Sequence, residues 1–335
     1  MAAETVTQAT LDLLRNAIGP GSLLITHDRA ATLKVPLYTQ DVIALPLTAD
    51  CDSDYVRAVA DPATDLEHPL KGPFRVDRKQ PGVTAIAAVR LAKLAGLLPA
   101  AILFTLETGH SRPPVGAGIT EVAAEDILAY QDITAESLQL LVRARVPLEG
   151  ADPAELVAFR PSDGGPEHYA ILIGDKAGPA LAPPGPVLAR LHSECFTGDL
   201  LASLRCDCGD QLRGAIKTIA ESGGGVLLYL AQEGRGIGLM NKLRAYRLQD
   251  EGYDTLEANR RLGFAEDERL YEVAARMLRM LGFQKVRLLT NNPHKMAALE
   301  AAGIEVVGRV PHHFPDNIHN REYLHTKATK AGHLF

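Results

Sequence analysis

From Gly225 to Val310 the sequence alternates apolar runs of strand length with segments of helical spacing, in units the size of a βαβ crossover. Gly225 to Ala231 is a buried-strand run, the glycine-rich Gly234-Arg-Gly-Ile-Gly238 follows, and Leu239 to Glu251 reads as a helix closed by Gly252. Leu270, Val273, Ala274, Met277, Leu278 and Leu281 recur at helical spacing, which puts Asp267 and Glu268 in the first turn and Gly282 at the end. Val286 to Leu289 is a strand, Asn291-Asn292 offers a cap, and Pro293 takes the first helical position. Gly303 ends that helix, and Ile304 to Val310 returns as a strand. The expected fold class is α/β in two domains, the C-terminal one a mixed sheet flanked by helices with βαβ units.

Two domains are what a chain of 335 residues can be expected to form. In the first half, Ala9 to Ile18 has helical spacing, Gly19-Pro20-Gly21 stops it, and Ser22 to Thr26 follows as a strand. Val83 to Leu97 reads as a helix ahead of a strand-like run that begins at Ala100. Val122 to Tyr130 and Glu136 to Ala144 read as two further helices. Pro147 to Pro153 is rich in turn formers and stands where a linker is needed, so the domains are expected at residues 1–148 and 149–335.

Composition narrows the function classes. Hydrophobic residues at 46% and charged residues at 23% are the balance of a folded chain with a sizeable core. A net charge of −6, with no long basic run, argues against generic nucleic-acid binding. The most apolar stretch, Thr84 to Phe104, is interrupted by Arg90, Lys93 and Pro99 and is no membrane span. The N-terminus lacks the basic and apolar regions of a signal peptide, and four cysteines are too few for a disulfide framework, so a cytoplasmic location is expected.

Three of those cysteines, Cys195, Cys206 and Cys208, fall within fourteen residues. Thiolates at this spacing suit one soft metal ion, most plausibly zinc. Three ligands leave a fourth position for a water whose pKa the metal lowers. Buried unliganded cysteines, or a structural site completed by His192 or Asp207, are the readings that stand beside it. Gln232-Glu-Gly-Arg-Gly-Ile-Gly238, between a strand and a helix, lets backbone amides approach an anion, although it lacks the Gly-Lys-Ser/Thr ending of a P-loop. Asp267-Glu-Arg269 and Thr290-Asn-Asn-Pro-His-Lys295 add polar crowding at two helix starts. Together these features point to zinc-assisted hydrolysis of a phosphorylated substrate.

Six ordered segments then carry a resemblance across the second half: Arg190-Leu-His-Ser-Glu-Cys-Phe-Thr-Gly-Asp199, Arg205-Cys-Asp-Cys-Gly-Asp-Gln-Leu212, Gln232 to Leu239, Asn241 to Tyr246, Asp254 to Asn259 and Leu289 to Pro293. They resemble GTP cyclohydrolase II, which opens the imidazole ring of GTP in riboflavin synthesis. The resemblance implies zinc on Cys195, Cys206 and Cys208. It implies GTP contacts from Arg190, Leu191, His192, Ser193, Glu194, Gln211, Glu233, Gly234, Arg235, Thr255, Thr290 and Lys295. Asp267 matches the family's proposed proton acceptor and Arg269 the arginine proposed to attack the α-phosphate. A phosphate clamp is an equally physical role for a side chain that stays protonated. Tyr246 matches a tyrosine near the ring-opening chemistry. Magnesium on the triphosphate and a homodimer are also implied. One departure is Ala231, where the resemblance leads us to expect arginine.

Ala60-Asp-Pro-Ala-Thr-Asp-Leu66, Ala88 to Leu97 and Glu125 to Tyr130 resemble a shortened 3,4-dihydroxy-2-butanone-4-phosphate synthase domain. Its acidic metal cluster is missing after His27-Asp-Arg-Ala-Ala-Thr32, and Pro81 to Ile86 has neither the His nor the Glu of its proton-transfer segment, so no ribulose-5-phosphate chemistry is expected. The competing readings are a paralogue acting on a related nucleotide or in pyrimidine catabolism, and a non-catalytic GTP-binding regulator.

Overall fold

The computed structural model describes residues 1–106, 120–174 and 185–321, with 325, 328, 329, 332 and 334 beyond them. Residue contacts divide the chain into two units that interleave along the sequence: Met1–Tyr130 with Ile237–Glu268, and Gln131–Gly236 with Arg269–Phe335.

The first unit holds a three-stranded antiparallel sheet of β1 (Ser22–Thr26), β2 (Val42–Pro46) and β3 (Ala100–Leu103), ordered β2-β1-β3. The period-2 alternation of β1 feeds two cores. Leu23 and Ile25 pack with Leu11, Ile43, Val56, Val59 and Ile102, whereas Leu24 packs with Val42, Ala85 and Val89. Helices Gln8–Ile18 and Ser53–Ala60 start where Thr7 Oγ1 and Asp52 Oδ1 accept orphan backbone amides. The same unit includes the later helices Leu239–Asp250 and Thr255–Arg261. Ala245, Leu248 and Ala258 of these helices, with the flanking Ile237, Leu262 and Phe264, enclose Leu98 in an apolar cluster.

The second unit is a seven-stranded mixed sheet flanked by helices. Its strands are β4 (Leu138–Arg145), β5 (Ala154–Pro161), β6 (His168–Ile173), β7 (Val187–Ser193), β8 (Gly225–Leu230), β9 (Lys285–Leu289) and β10 (Glu305–Val310). The order is β10-β9-β7-β8-β6-β5-β4, parallel from β10 to β8 and antiparallel from β8 to β4. One face packs Val187, Ala189, Leu191, Val226, Leu228 and Leu288 beneath the helix Glu272–Met280. The other packs Leu188, Leu227 and Leu289 against Ala215 and Ile219 of the helix Cys208–Glu221. A central parallel strand is buried on both sides, which is why β7 has no exposed position. No helix among the described residues is long and apolar enough to cross a membrane.

Three expectations are corrected. Glu136 to Ala144 is not a helix: one helix runs Ala124–Glu136, and Leu138–Arg145 is β4, paired to β5 with a bulge between Leu140 and Val142. The turn formers from Pro147 to Pro153 connect these two antiparallel strands of one sheet, with a further bridge from Leu148 to Ala151, so they are a hairpin connection and no linker. The two contact units divide first between Tyr130 and Gln131, ahead of β4. Asp267 and Glu268 do not open a helix either. The helical spacing from Leu270 is genuine, but the helix starts at Glu272, so Asp267–Arg269 lie in the preceding loop.

Candidate active site

The parallel strands β9, β7 and β8 are neighbours, and the carboxyl edge of such strands is where α/β folds place ligands. Ser193 sits in register with Leu230, and the carbonyl of Leu289 accepts a 2.9 Å hydrogen bond from Arg190 Nη1. Beyond these ends come Glu194-Cys195, Gln232-Glu233 and Thr290-Asn291.

Alternation on β7 turns Arg190 and His192 to the same face as Leu188, toward the helix Cys208–Glu221. Arg190 Nη2 donates to Gln211 Oε1 at 2.5 Å, and Gln211 in turn donates to Asp207. Burial lowers the Arg190 guanidinium to about 10, the Asp207 carboxylate opposing that fall, and the group remains cationic at neutral pH. His192 Nε2 lies 3.1 Å from both oxygens of Asp199, and its ring stacks on Tyr229 at 5.6 Å. Burial holds the imidazole below its ordinary pKa against the pull of Asp199. Asp199 also accepts from the Cys195 amide and the Tyr229 hydroxyl, each at 3.0 Å. It is a hub that the sequence reading quoted within a motif but did not single out.

Three atoms of this strand are buried without a hydrogen-bond partner: Arg190 Nε, His192 Nδ1 and Ser193 Oγ. Such atoms cost roughly 1–3 kcal/mol each unless a ligand or water satisfies them, and their clustering on four consecutive residues marks a binding site.

The three thiols come together as expected. The Sγ atoms of Cys195, Cys206 and Cys208 lie within 4.8 Å of one another, and those of Cys195 and Cys206 are 3.7 Å apart, far beyond a disulfide. Tetrahedral coordination with bonds of about 2.3 Å sets sulfurs about 3.8 Å apart. Hydrogen bonding with Cys195 and burial push the Cys206 thiol up to about 11, and hydrogen bonds with Cys195 and Cys206 together with burial raise Cys208, so the cluster by itself favours protonated thiols. A divalent soft cation would offset that preference, and the donor set fits zinc. No histidine or carboxylate completes the cluster among the described residues. Gly198 keeps it accessible: a Cβ there would stand 2.8 Å from Cys206 Sγ and 3.0 Å from Cys195 Sγ.

Glu233 is buried and accepts from the Phe196 amide at 2.6 Å and from the Gly234 amide at 3.1 Å, tying the glycine-rich turn to the metal loop. Gly234 and Arg235 both have φ of 63°. A left-handed arginine costs on the order of 1 kcal/mol, and such strain collects at functional turns. After β9, Asn292 Oδ1 caps the helix Pro293–Ala301 as the sequence indicated, and Thr290 Oγ1 accepts the Asn292 amide. From that helix the buried Lys295 reaches back to the Leu191 carbonyl at 2.8 Å. His312, unflagged by the sequence, donates from Nε2 to the Gln211 carbonyl at 2.8 Å. Only its position in the fold reveals it.

The second unit therefore gathers Arg190 to Glu194, the three cysteines, Gln211, Glu233 to Arg235, Arg269, Thr290 and Lys295. It does not contain Tyr246, Thr255 or Asp267, which fall in the arm Ile237–Glu268 of the first unit. Tyr246 lies beneath Lys242, whose Nζ is 5.7 Å from the ring centroid, and Thr255 follows the cap Asp254. Asp267 is exposed.

A family model described as GTP cyclohydrolase II matches residues 139–311, which is β4 through β10 and includes the arm. A GTP cyclohydrolase-2 of Azospirillum brasilense is 50% identical across 100% of this chain and 87% of its own length. The chain belongs to the GTP cyclohydrolase II family. A riboflavin biosynthesis protein RibBA of Cytophaga hutchinsonii is 40% identical over 98% of the chain and 82% of its own length. A GTP cyclohydrolase-2 of Shigella dysenteriae is 53% identical over 59% of the chain and 97% of its own length. GTP cyclohydrolase II is an enzyme family, and the whole-length match extends the relationship through the first unit.

Proposed function

We propose that this protein hydrolyses GTP to 2,5-diamino-6-(5-phospho-ribosylamino)pyrimidin-4(3H)-one, formate and pyrophosphate, the first step of riboflavin biosynthesis, with one zinc per subunit. The observation that carries the reading is the placing of three converging thiols beside the unpartnered Arg190, His192 and Ser193 atoms at one sheet edge. Cys195, Cys206 and Cys208 would hold the ion, which when bound supplies Lewis acidity for hydrolysis at C8 of the purine. Arg190, Arg235 and Lys295 provide cationic donors for the triphosphate, which enters with magnesium, and Gln211, Thr255 and Thr290 provide neutral ones. Glu233 keeps the Gly234 turn open to the substrate by holding the amides of Gly234 and Phe196. Asp267 accepts a proton, Tyr246 orients the attacking water, and Arg269 clamps the α-phosphate, since arginine keeps its proton and is a poor nucleophile.

The first unit is without ribulose-5-phosphate activity in this reading. A reducing cytoplasm keeps the three thiols available as ligands. Leu200, Leu201 and Leu204, each more than half exposed beside the metal loop, support homodimerisation through that surface.

The test is to incubate the zinc-loaded protein with GTP and magnesium and to quantify formate, pyrophosphate and the pyrimidine product together, with Cys206→Ser as control. Equal formate and pyrophosphate from the parent, with formate lost in the control, is the expected result. Pyrophosphate without formate would sink the ring-opening assignment, and tight GTP binding without turnover would favour a regulator.

A further inference from the structure

The arm Ile237–Glu268 lies inside the segment matched by the cyclohydrolase family, yet its contacts belong to the unit formed by residues 1–130. Four separate attachments make that so. Arg244 Nη2 pairs with Glu4 Oε1 at 2.6 Å, and the other oxygen of Glu4 accepts the Leu98 amide at 2.8 Å, so one carboxylate ties the helix Leu239–Asp250 to the turn before β3. Asn241 donates to the Gly96 carbonyl at 3.1 Å and accepts from Arg244 at 2.7 Å. Lys93 Nζ meets Glu268 Oε1 at 2.5 Å, and Glu268 also receives the Ala265 amide at 2.9 Å. Arg261 lies 3.6 Å from Asp65, the acceptor of the buried Arg29.

Apolar packing follows the same lines. Leu98 is 1% exposed among six side chains of the arm. Gly263 approaches so closely that a Cβ would stand 2.8 Å from Thr26 Oγ1 and 2.9 Å from Pro99 Cγ. The arm carries Tyr246 two residues beyond Arg244, Thr255 at the start of the helix that ends in Arg261, and Asp267 next to Glu268. Each candidate reaction residue is therefore close along the chain to an anchor.

We propose that the first unit, bereft of its own chemistry, positions the arm for GTP turnover, with Glu4 and Lys93 as positioning residues that set where Tyr246 and Asp267 stand. This rests on the reading given under Proposed function. Neither residue touches the substrate. Glu4 acts through Arg244 on Tyr246's helix, and Lys93 acts through Glu268 on the loop of Asp267. Misplacement of a reacting group by about 1 Å can cost up to a hundredfold in rate, whereas a partly exposed ion pair contributes little to global stability.

The test uses the full-length, zinc-loaded chain and its Lys93→Met, Lys93→Arg, Glu4→Ala and Glu4→Gln variants. Formate-release kcat and KM for GTP are read beside the thermal midpoint and hydrogen exchange across residues 239–268. Lys93→Met and Glu4→Ala are expected to lower kcat about tenfold or more and to speed exchange in the arm, with the midpoint within about 3 °C of the parent. Lys93→Arg and Glu4→Gln, which keep a donor and an acceptor respectively, are expected to recover most of the rate. Unchanged kcat, or loss that tracks the midpoint and is not recovered by the conservative variants, would overturn the proposal. If the parent itself releases no formate, the assigned reaction fails instead. Arm exchange unchanged in Lys93→Met and Glu4→Ala would then overturn the anchoring as well.

Discussion

Two buried arginines show how differently the two units use charge. Arg29, 1% exposed in the first unit, has every guanidinium nitrogen engaged: Nε on the Val59 carbonyl at 2.8 Å, Nη1 and Nη2 on Asp65 at 2.5 and 2.9 Å. Lys71 completes the group by donating to Asp65 and to the Ala58 carbonyl. Arg190, 5% exposed in the second unit, keeps two bonds and leaves Nε without one, beside the equally unpartnered His192 Nδ1 and Ser193 Oγ. A satisfied buried charge holds a fold together. An unsatisfied one is stable only if something outside the chain completes it.

The difference can be broken from either side. The largest effect is expected at the thiol cluster, where Cys208→Ser removes one of three converging thiols and no histidine or carboxylate among the described residues completes the set. Bound zinc, measured by elemental analysis, should drop from about one per chain to a small fraction, with formate release down by at least about a thousandfold. Next comes Asp65→Asn, which strands Arg29 and Lys71 inside the first unit. Denaturant unfolding should show a loss of about 3–5 kcal/mol, as for other broken buried ion pairs, and a loss under about 1 kcal/mol would contradict the structural role given to this group.

Acid should weaken the second unit through two histidines. Burial lowers His168 and His312 to about 4, the nearby Arg190 adding to the fall at His312, so both are neutral when folded. Unfolded histidine takes up its proton near pH 6.5, which means that the unfolded state binds more protons between about pH 6.5 and 4. Stability is therefore full above about 6.5 and falls as the pH drops toward 4, by up to about 3 kcal/mol for each group. Thermal midpoints across that range should show the decline, and His168→Gln should flatten it. The smallest change sharpens the comparison most. Ser193→Ala deletes an unpartnered hydroxyl, so chemical unfolding should move by no more than about 0.5 kcal/mol while KM for GTP rises about tenfold.

What the sequence disclosed follows the same division between local and distant causes. The strand at Gly225–Leu230 and the helix at Pro293–Ala301 were readable because their signals are local: an unbroken apolar run, an asparagine cap and a proline at the first position. β4 was not, because Leu138 to Arg145 becomes a strand through its pairing with β5, and Leu138, Leu141 and Val142, at i, i+3 and i+4, also satisfy helical spacing. The thiol cluster was legible from spacing, since a single residue separates Cys206 from Cys208. Asp199 was not, since its role is set by His192 and Tyr229 arriving from β7 and β8. No count along the chain separates a lone aspartate that gathers three donors from one that faces water.

The arm departs from the second unit after Gly236 and rejoins it at Arg269, and this bears on how such a protein can be shortened or recombined. A single cut between the first half and the second would deliver an arm whose Ile237, Ala245, Leu248, Ala258, Leu262 and Phe264 had lost Leu98 and whose Arg244 had lost Glu4. The exposed apolar strip would invite aggregation, and a catalytic half made this way would carry an injury unrelated to its chemistry. The chain passes from one unit to the other three times, and a faithful separation has to respect all three passages.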